Sequence, residues 1–116
     1  PTQTRIFVPP YEYYNETIAA WARGMGLRIV NFTPGTWTNA DYTTPDMTNY
    51  RSSRDIYNRV MEVEKREGLN GHILLFHLGT DERRTDKFYD RYLERLIRTL
   101  QKRGYTFVAL PEAMGE

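Results

Sequence analysis

The stretch Gly71-His72-Ile73-Leu74-Leu75-Phe76-His77-Leu78-Gly79-Thr80-Asp81 decides how this chain reads. It is a short apolar run that ends on a histidine and then on a polar turn. A run of that length, bounded by Gly71 and Gly79, predicts a strand buried on both faces. His77 then stands at the strand's carboxyl end, where α/β folds keep their chemistry. Downstream, a helical pattern closed by Gly104 and the stretch Tyr105-Thr106-Phe107-Val108-Ala109-Leu110 complete a β-α-β unit.

Working outward, Arg5-Ile6-Phe7-Val8 predicts a short strand cut off by Pro9-Pro10. Asn15 is an N-cap for a helix to about Met25, with Ile18, Trp21, Ala22 and Met25 on one face. Leu27 to Phe32 predicts the next strand. Thr33 to Tyr50 is a long irregular segment, rich in aromatics and without charge runs, which favours an ordered binding loop. Ser52 and Asp55 resemble a capping box that opens a helix to Glu67, ended by Gly68. Ile56, Tyr57, Val60 and Val63 are its apolar stripe. Thr85 caps a last helix to about Arg103, with Phe88, Tyr89, Tyr92, Leu93, Leu96, Ile97 and Leu100 at helical spacing.

The fold class is therefore α/β, a parallel β-α-β-α-β-α-β arrangement with right-handed crossovers in a single domain over residues 1–116. Four strands fit a small open sheet, or an arc of a (β/α) barrel whose other strands lie on another segment. Either way the loops after the strands gather Pro9-Pro10-Tyr11, Thr33 to Tyr50, and His77 to Arg84 at one edge.

Sixteen basic and fifteen acidic residues nearly cancel, which leaves no electrostatic footprint for nucleic acid. The basic residues Arg83, Arg84, Lys87, Arg91, Arg95, Arg98, Lys102 and Arg103 alternate with acids and read as a solvated helix face. Without cysteine there is neither a disulfide nor a thiolate metal site. No apolar run approaches the roughly 20 residues of a membrane span. The start at Pro1 rather than methionine reads as a processed or excised piece. Loop aromatics such as Tyr11, Trp37 and Tyr42 can stack on sugar faces or cap the ends of a small core. No strand is followed by a glycine-rich phosphate cradle, which argues against an open-sheet nucleotide binder.

Three landmarks, in order, carry a resemblance to one family. Phe7-Val8-Pro9-Pro10-Tyr11 is similar to a Phe-Arg-Pro-Pro-Tyr stretch. Leu75-Phe76-His77 matches a Leu-x-His motif, and Arg103-Gly104-Tyr105-Thr106-Phe107-Val108 looks like a closing helix-Gly-Tyr-strand segment. From about Arg5 to Leu110 the chain resembles the C-terminal half of a polysaccharide deacetylase of the NodB-homology type, carbohydrate esterase family four. The resemblance implies an irregular (β/α) barrel that removes acetyl groups from a polysaccharide or oligosaccharide. It implies a divalent metal, commonly zinc, held by one Asp and two His, with a second Asp as base. By the same resemblance His77 is the general acid, Leu75 lines the acetyl pocket, and Tyr11 offers its backbone amide to the oxyanion. Pro10, Trp37 and Asp41 join Tyr11 and Leu75 as glycan-cleft residues. A secreted or periplasmic location is implied too.

The departures are specific. The family's Asp-Asp and His-x-x-x-His motifs have no counterpart, so the missing N-terminal half or another chain must complete the sheet and supply base and ligands. His72 and His77 are five residues apart on opposite faces of a strand, so this chain holds no metal site by itself. Val8 stands where the family has an arginine that orients the base, and Gly35 where an aspartate would pair with it. Asp41-Tyr42 is the nearest equivalent of the family's Asp-Trp. The joint loss of both ends of an ion pair avoids an unpaired buried charge. It also supports an alternative, a non-catalytic carbohydrate-binding or scaffolding domain of the same fold. Unpaired edge strands predict self-association of the isolated chain.

Overall fold

The computed structural model describes residues 5–9, 11 and 13–115. They form two compact units, one of the described residues up to Phe32 together with those from Val108 onward, the other of Thr33–Phe107.

In the first unit, strand β1 (Ile6–Phe7) and strand β2 (Arg28–Ile29) pair in parallel, Ile6 opposite Arg28 and Phe7 opposite Ile29. Helix α1 (Glu16–Gly24) connects them. Its start is local chemistry: the Asn15 side chain accepts the Ile18 N–H at 2.9 Å, satisfying an otherwise orphan donor. The expected apolar face is largely uncovered. Ala22 is buried, whereas Trp21 is 66% and Met25 73% exposed.

The second unit is built on helix α2 (Ser53–Glu67), capped by the Ser52 hydroxyl, which accepts the Asp55 N–H. Ile56, Tyr57, Val60 and Val63 are buried as their spacing predicts. They meet Phe88 of helix α3 (Phe88–Arg91), Leu96 and Leu100 of helix α4 (Leu93–Lys102), and Leu69. Burying each such side chain contributes about 1.5–3 kcal/mol. Gly68 ends α2 at φ 80°, a left-handed turn that a side chain would strain.

Three expectations need correction. The run from Gly71 to Gly79 forms no strand, and His72 to His77 are half-buried rather than enclosed on both faces. Leu74 and Phe76, two residues apart, do pack on the core. The backbone is met by a loop instead of a ladder: the Thr33 N–H donates to the Ile73 carbonyl at 2.8 Å, and the Ile73 N–H to the Thr33 hydroxyl at 2.9 Å. A strand exists only where a neighbour offers a ladder. Tyr105 to Leu110 likewise forms none. Thr106 to Ala109 are exposed, and Leu110 opens the short helix α5 (Leu110–Ala113) instead. Pro111, in the first turn, lacks an N–H and has φ preset for a helix start. The four-strand parallel order is thus reduced, among the described residues, to the β1–β2 pair within a mixed α/β chain.

The last helix begins at Phe88, not at Thr85, and breaks at Tyr92. Asp86 explains the late start. Its carboxylate accepts the Ser53 N–H at 2.8 Å and its carbonyl accepts the Ser53 hydroxyl at 2.8 Å. Asp86 thereby holds the head of α2, and the helix starts after it.

Candidate active site

The loop after Thr33 contains few apolar side chains yet is ordered, because its polar groups bond one another. Thr36, Thr38, Asp41, Thr43 and Thr44 are buried. The Thr36 and Thr38 hydroxyls are 3.3 Å apart, the Thr43 hydroxyl donates to the Ala40 carbonyl at 2.6 Å, and that of Thr44 donates to Asp46. No buried side-chain polar atom among the described residues lacks a partner. A 3-10 turn, Thr38–Ala40, delivers Asp41 at its end, with the Asp41 N–H donating to the Thr38 carbonyl at 3.2 Å.

Asp41 is only 3% exposed and both its oxygens engage His77. The His77 backbone N–H donates to Oδ2 at 2.7 Å, and His77 Nδ1 lies 2.6 Å from Oδ1. The Tyr42 ring meets the imidazole edge-on, centroids 5.3 Å apart. Burial pushes the Asp41 carboxyl above its ordinary value, and the hydrogen bonds and charge of His77 and the charge of Arg84 pull it back down. With Asp41 ionised, the ring nitrogen Nδ1 is the donor of this hydrogen bond, because a carboxylate can only accept. The imidazole itself is about one-third exposed and is held by a carboxylate that is buried.

Behind the dyad lies Arg84, wholly buried, which overturns its expected place on a solvated helix face. It lies outside the helix, between Asp81 and the Asp86 anchor. Its guanidinium donates to the carbonyls of Asp86 (2.7 Å), Thr43 (2.8 Å) and Arg51 (2.7 Å) and to the Ser53 hydroxyl (3.0 Å). The fork ties both ends of residues 43–51 to the head of α2. That pins the turn carrying Asp41. Nothing in its charge pattern marked Arg84 out. The one available signal was its position in the turn after the histidine.

The other sequence-predicted residues fall as follows. Leu75 is half-buried and two residues before His77 in the same unit. Trp37 packs on the core edge with Arg51 and Arg59 against its ring, so much of the indole is already in contact with cations. Asp41, expected as a cleft residue, turns its carboxylate to His77 instead of solvent. Tyr11 belongs to the other compact unit, where it is 96% exposed with φ 53°. Pro10 lies outside the described residues. Gly35 has φ 102°, a backbone state natural to glycine and strained for the aspartate the resemblance would place there. Its carbonyl accepts Arg59 Nε at 2.8 Å.

Among the described residues no group of three or more His, Cys, Asp or Glu side chains could hold a metal ion. The described residues therefore include no three-ligand site for the zinc that the resemblance implies. No helix among them is long and apolar enough to cross a membrane.

No protein-family model, curated protein or solved structure matches this chain.

Proposed function

We propose that this chain is part of a carbohydrate deacetylase and supplies its general acid, His77, and part of the glycan cleft. What supports the reading is the Asp41–His77 pair. It joins the His77 of the Leu75-Phe76-His77 landmark to Asp41 of Asp41-Tyr42, the nearest equivalent of the family's Asp-Trp, across more than thirty residues. A buried carboxylate 2.6 Å from the ring nitrogen is the partner that a proton-donating histidine needs. In this reading His77 gives its Nε2 proton to the departing sugar oxygen or amine. Asp41 acts as a positioning residue that holds the tautomer and balances the imidazolium. Tyr42 limits rotation of the ring from its edge. The base and the ligands of a divalent metal come from residues outside this chain, and secretion or a periplasmic location goes with the reading.

The test is acetate release from acetylated xylan or chitin oligosaccharides. The natural polypeptide that contains these residues turns over, and His77→Ala lowers the rate by about 10²–10⁴, the usual worth of one general acid. Asp41→Asn, which keeps the shape and removes the charge, lowers kcat by part of that. Turnover untouched by His77→Ala refutes the assignment.

One observation favours a second reading, a non-catalytic carbohydrate-binding or scaffolding domain. Gly35 sits at a φ that suits glycine, with Val8 at the other end of the lost pair. Oligosaccharide binding without acetate release by the same polypeptide would decide for it.

A further inference from the structure

Next to the dyad stands a second constellation that the acid chemistry does not use. The Arg51 guanidinium lies 4.0 Å from the Trp37 ring centroid and that of Arg59 4.8 Å from it. Arg59 is already engaged, with Nε on the Gly35 carbonyl and Nη1 on Glu62 at 3.2 Å. Arg51 is exposed, and among the described residues its side chain meets no carboxylate. One indole thus carries two cations and a single neutralising acid.

The geometry points to an anion site. A guanidinium lying over a ring uses its face, while its N–H donors lie in its plane and remain free for a planar acceptor. The backbone that carries Arg51 is fixed at both polar groups. Its N–H donates to the Thr43 hydroxyl at 3.1 Å and its carbonyl accepts Arg84 Nη1 at 2.7 Å. The main chain at Arg51 is thus ordered before binding, and the indole already holds one face of its guanidinium. Arg84 adds a buried positive charge behind that carbonyl.

A second observation singles out the platform. Trp37 holds φ 67° and ψ 1°, a left-handed conformation uncommon for a bulky side chain. Such strain collects at functional positions. Trp37 also opens the 3-10 turn that ends on Asp41, so the platform and the dyad share one rigid segment.

We infer that the Arg51–Trp37–Arg59 stack binds the carboxylate of an acidic sugar, which makes this chain selective for uronate-bearing glycans. A planar carboxylate matches the guanidinium fork with two parallel hydrogen bonds. The inference rests on the glycan reading for its substrate class, and its test has a separate readout.

Trp21 and Trp37 are the two tryptophans, and Trp21 is exposed in the other unit. Trp21→Phe in the 116-residue chain therefore leaves Trp37 as the reporter. Its fluorescence is titrated with a glucuronate-bearing xylo-oligosaccharide, the neutral oligosaccharide of equal length, and free acetate. The expected result is affinity for the acidic oligosaccharide at least about tenfold above the neutral one, weakening with salt, as a charged hydrogen bond provides. Arg51→Gln abolishes that preference. Arg54→Gln, which removes an equal exposed charge one turn along the chain, preserves it. The inference is overturned by equal affinity for the two oligosaccharides, by no binding of either, by a preference that survives Arg51→Gln, or by free acetate binding as tightly as the acidic oligosaccharide. Any of these leaves the His77-dependent acetate assay to judge the deacetylase reading by itself.

Discussion

Replacing Arg84 by methionine keeps most of the side-chain volume and removes the fork. Two carbonyls, those of Thr43 and Arg51, lose their donor at once, while that of Asp86 keeps the Ser53 hydroxyl. An acceptor left without a donor costs about 1–3 kcal/mol, so for two of them even the low end gives a loss of about 2 kcal/mol. Asp41 also loses the nearby positive charge that helps keep it ionised. Against a total stability of about 5–15 kcal/mol this is severe. At about 4–8 °C per kcal/mol for a unit of this size, the unfolding midpoint falls by about 8 °C or more. Arg84→Lys retains a charge but cannot serve several carbonyls lying in different directions, and it recovers less than half of the loss. Circular dichroism melts and urea titrations on the three proteins measure both effects. A change under about 0.5 kcal/mol in Arg84→Met, the range of ordinary surface substitutions, would refute the idea that main-chain carbonyls depend on this guanidinium.

Two further outcomes follow from the same structure. Because burial raises the folded-state carboxyl of Asp41 above its ordinary 3.8, the folded chain binds that proton more readily than the unfolded one. Its contribution is then complete below 3.8 and is lost as pH rises through the raised folded value. Urea stability measured against pH should show this component in the parent and lack it in Asp41→Asn; identical slopes would contradict it. Tyr105→Phe removes a hydroxyl that donates to Glu64 Oε1 at 2.6 Å and accepts the Leu69 N–H at 2.8 Å. It should cost about 1–3 kcal/mol. That hydroxyl is also the main cause of the lowered Glu64 carboxyl, whose contribution is present above its ordinary 4.5 and lost as pH falls through the folded value. Tyr105→Phe should therefore lose less stability on acidification than the parent, and an equal acid loss in both would count against this account.

What was legible in the sequence was whatever is decided within a few residues. Asn15 and Ser52 cap helices because the donor each satisfies lies three residues on. Ile56, Val60 and Val63 face the core because helical spacing puts them on one side. What is decided by distant residues was missed. Ile73 to His77 has the composition of a strand, but a ladder must come from elsewhere in the chain, and here Thr33 and Asp41 meet its backbone instead. The start of α3 depends on Ser53, thirty-three residues before Asp86. At the site, His77 stood out by its place after an apolar run. The motif resemblance drew attention to Asp41, but a role behind the ring rather than in a cleft needed a pairing across thirty-six residues. Arg84 hid among charges of both signs, because burial of an arginine depends on carbonyls that every residue type possesses.

That last property has an evolutionary side. The groups that Arg84 grips at positions 43, 51 and 86 are peptide carbonyls, which survive almost any substitution at those positions. Exposed side chains in this loop such as Thr48 and Asn49 are therefore free to drift, or to be exchanged by a protein engineer, while the path of the loop is retained. A surface patterned for one ligand could be repatterned for another in small steps, each tolerated, without disturbing the residue pair the loop holds in place.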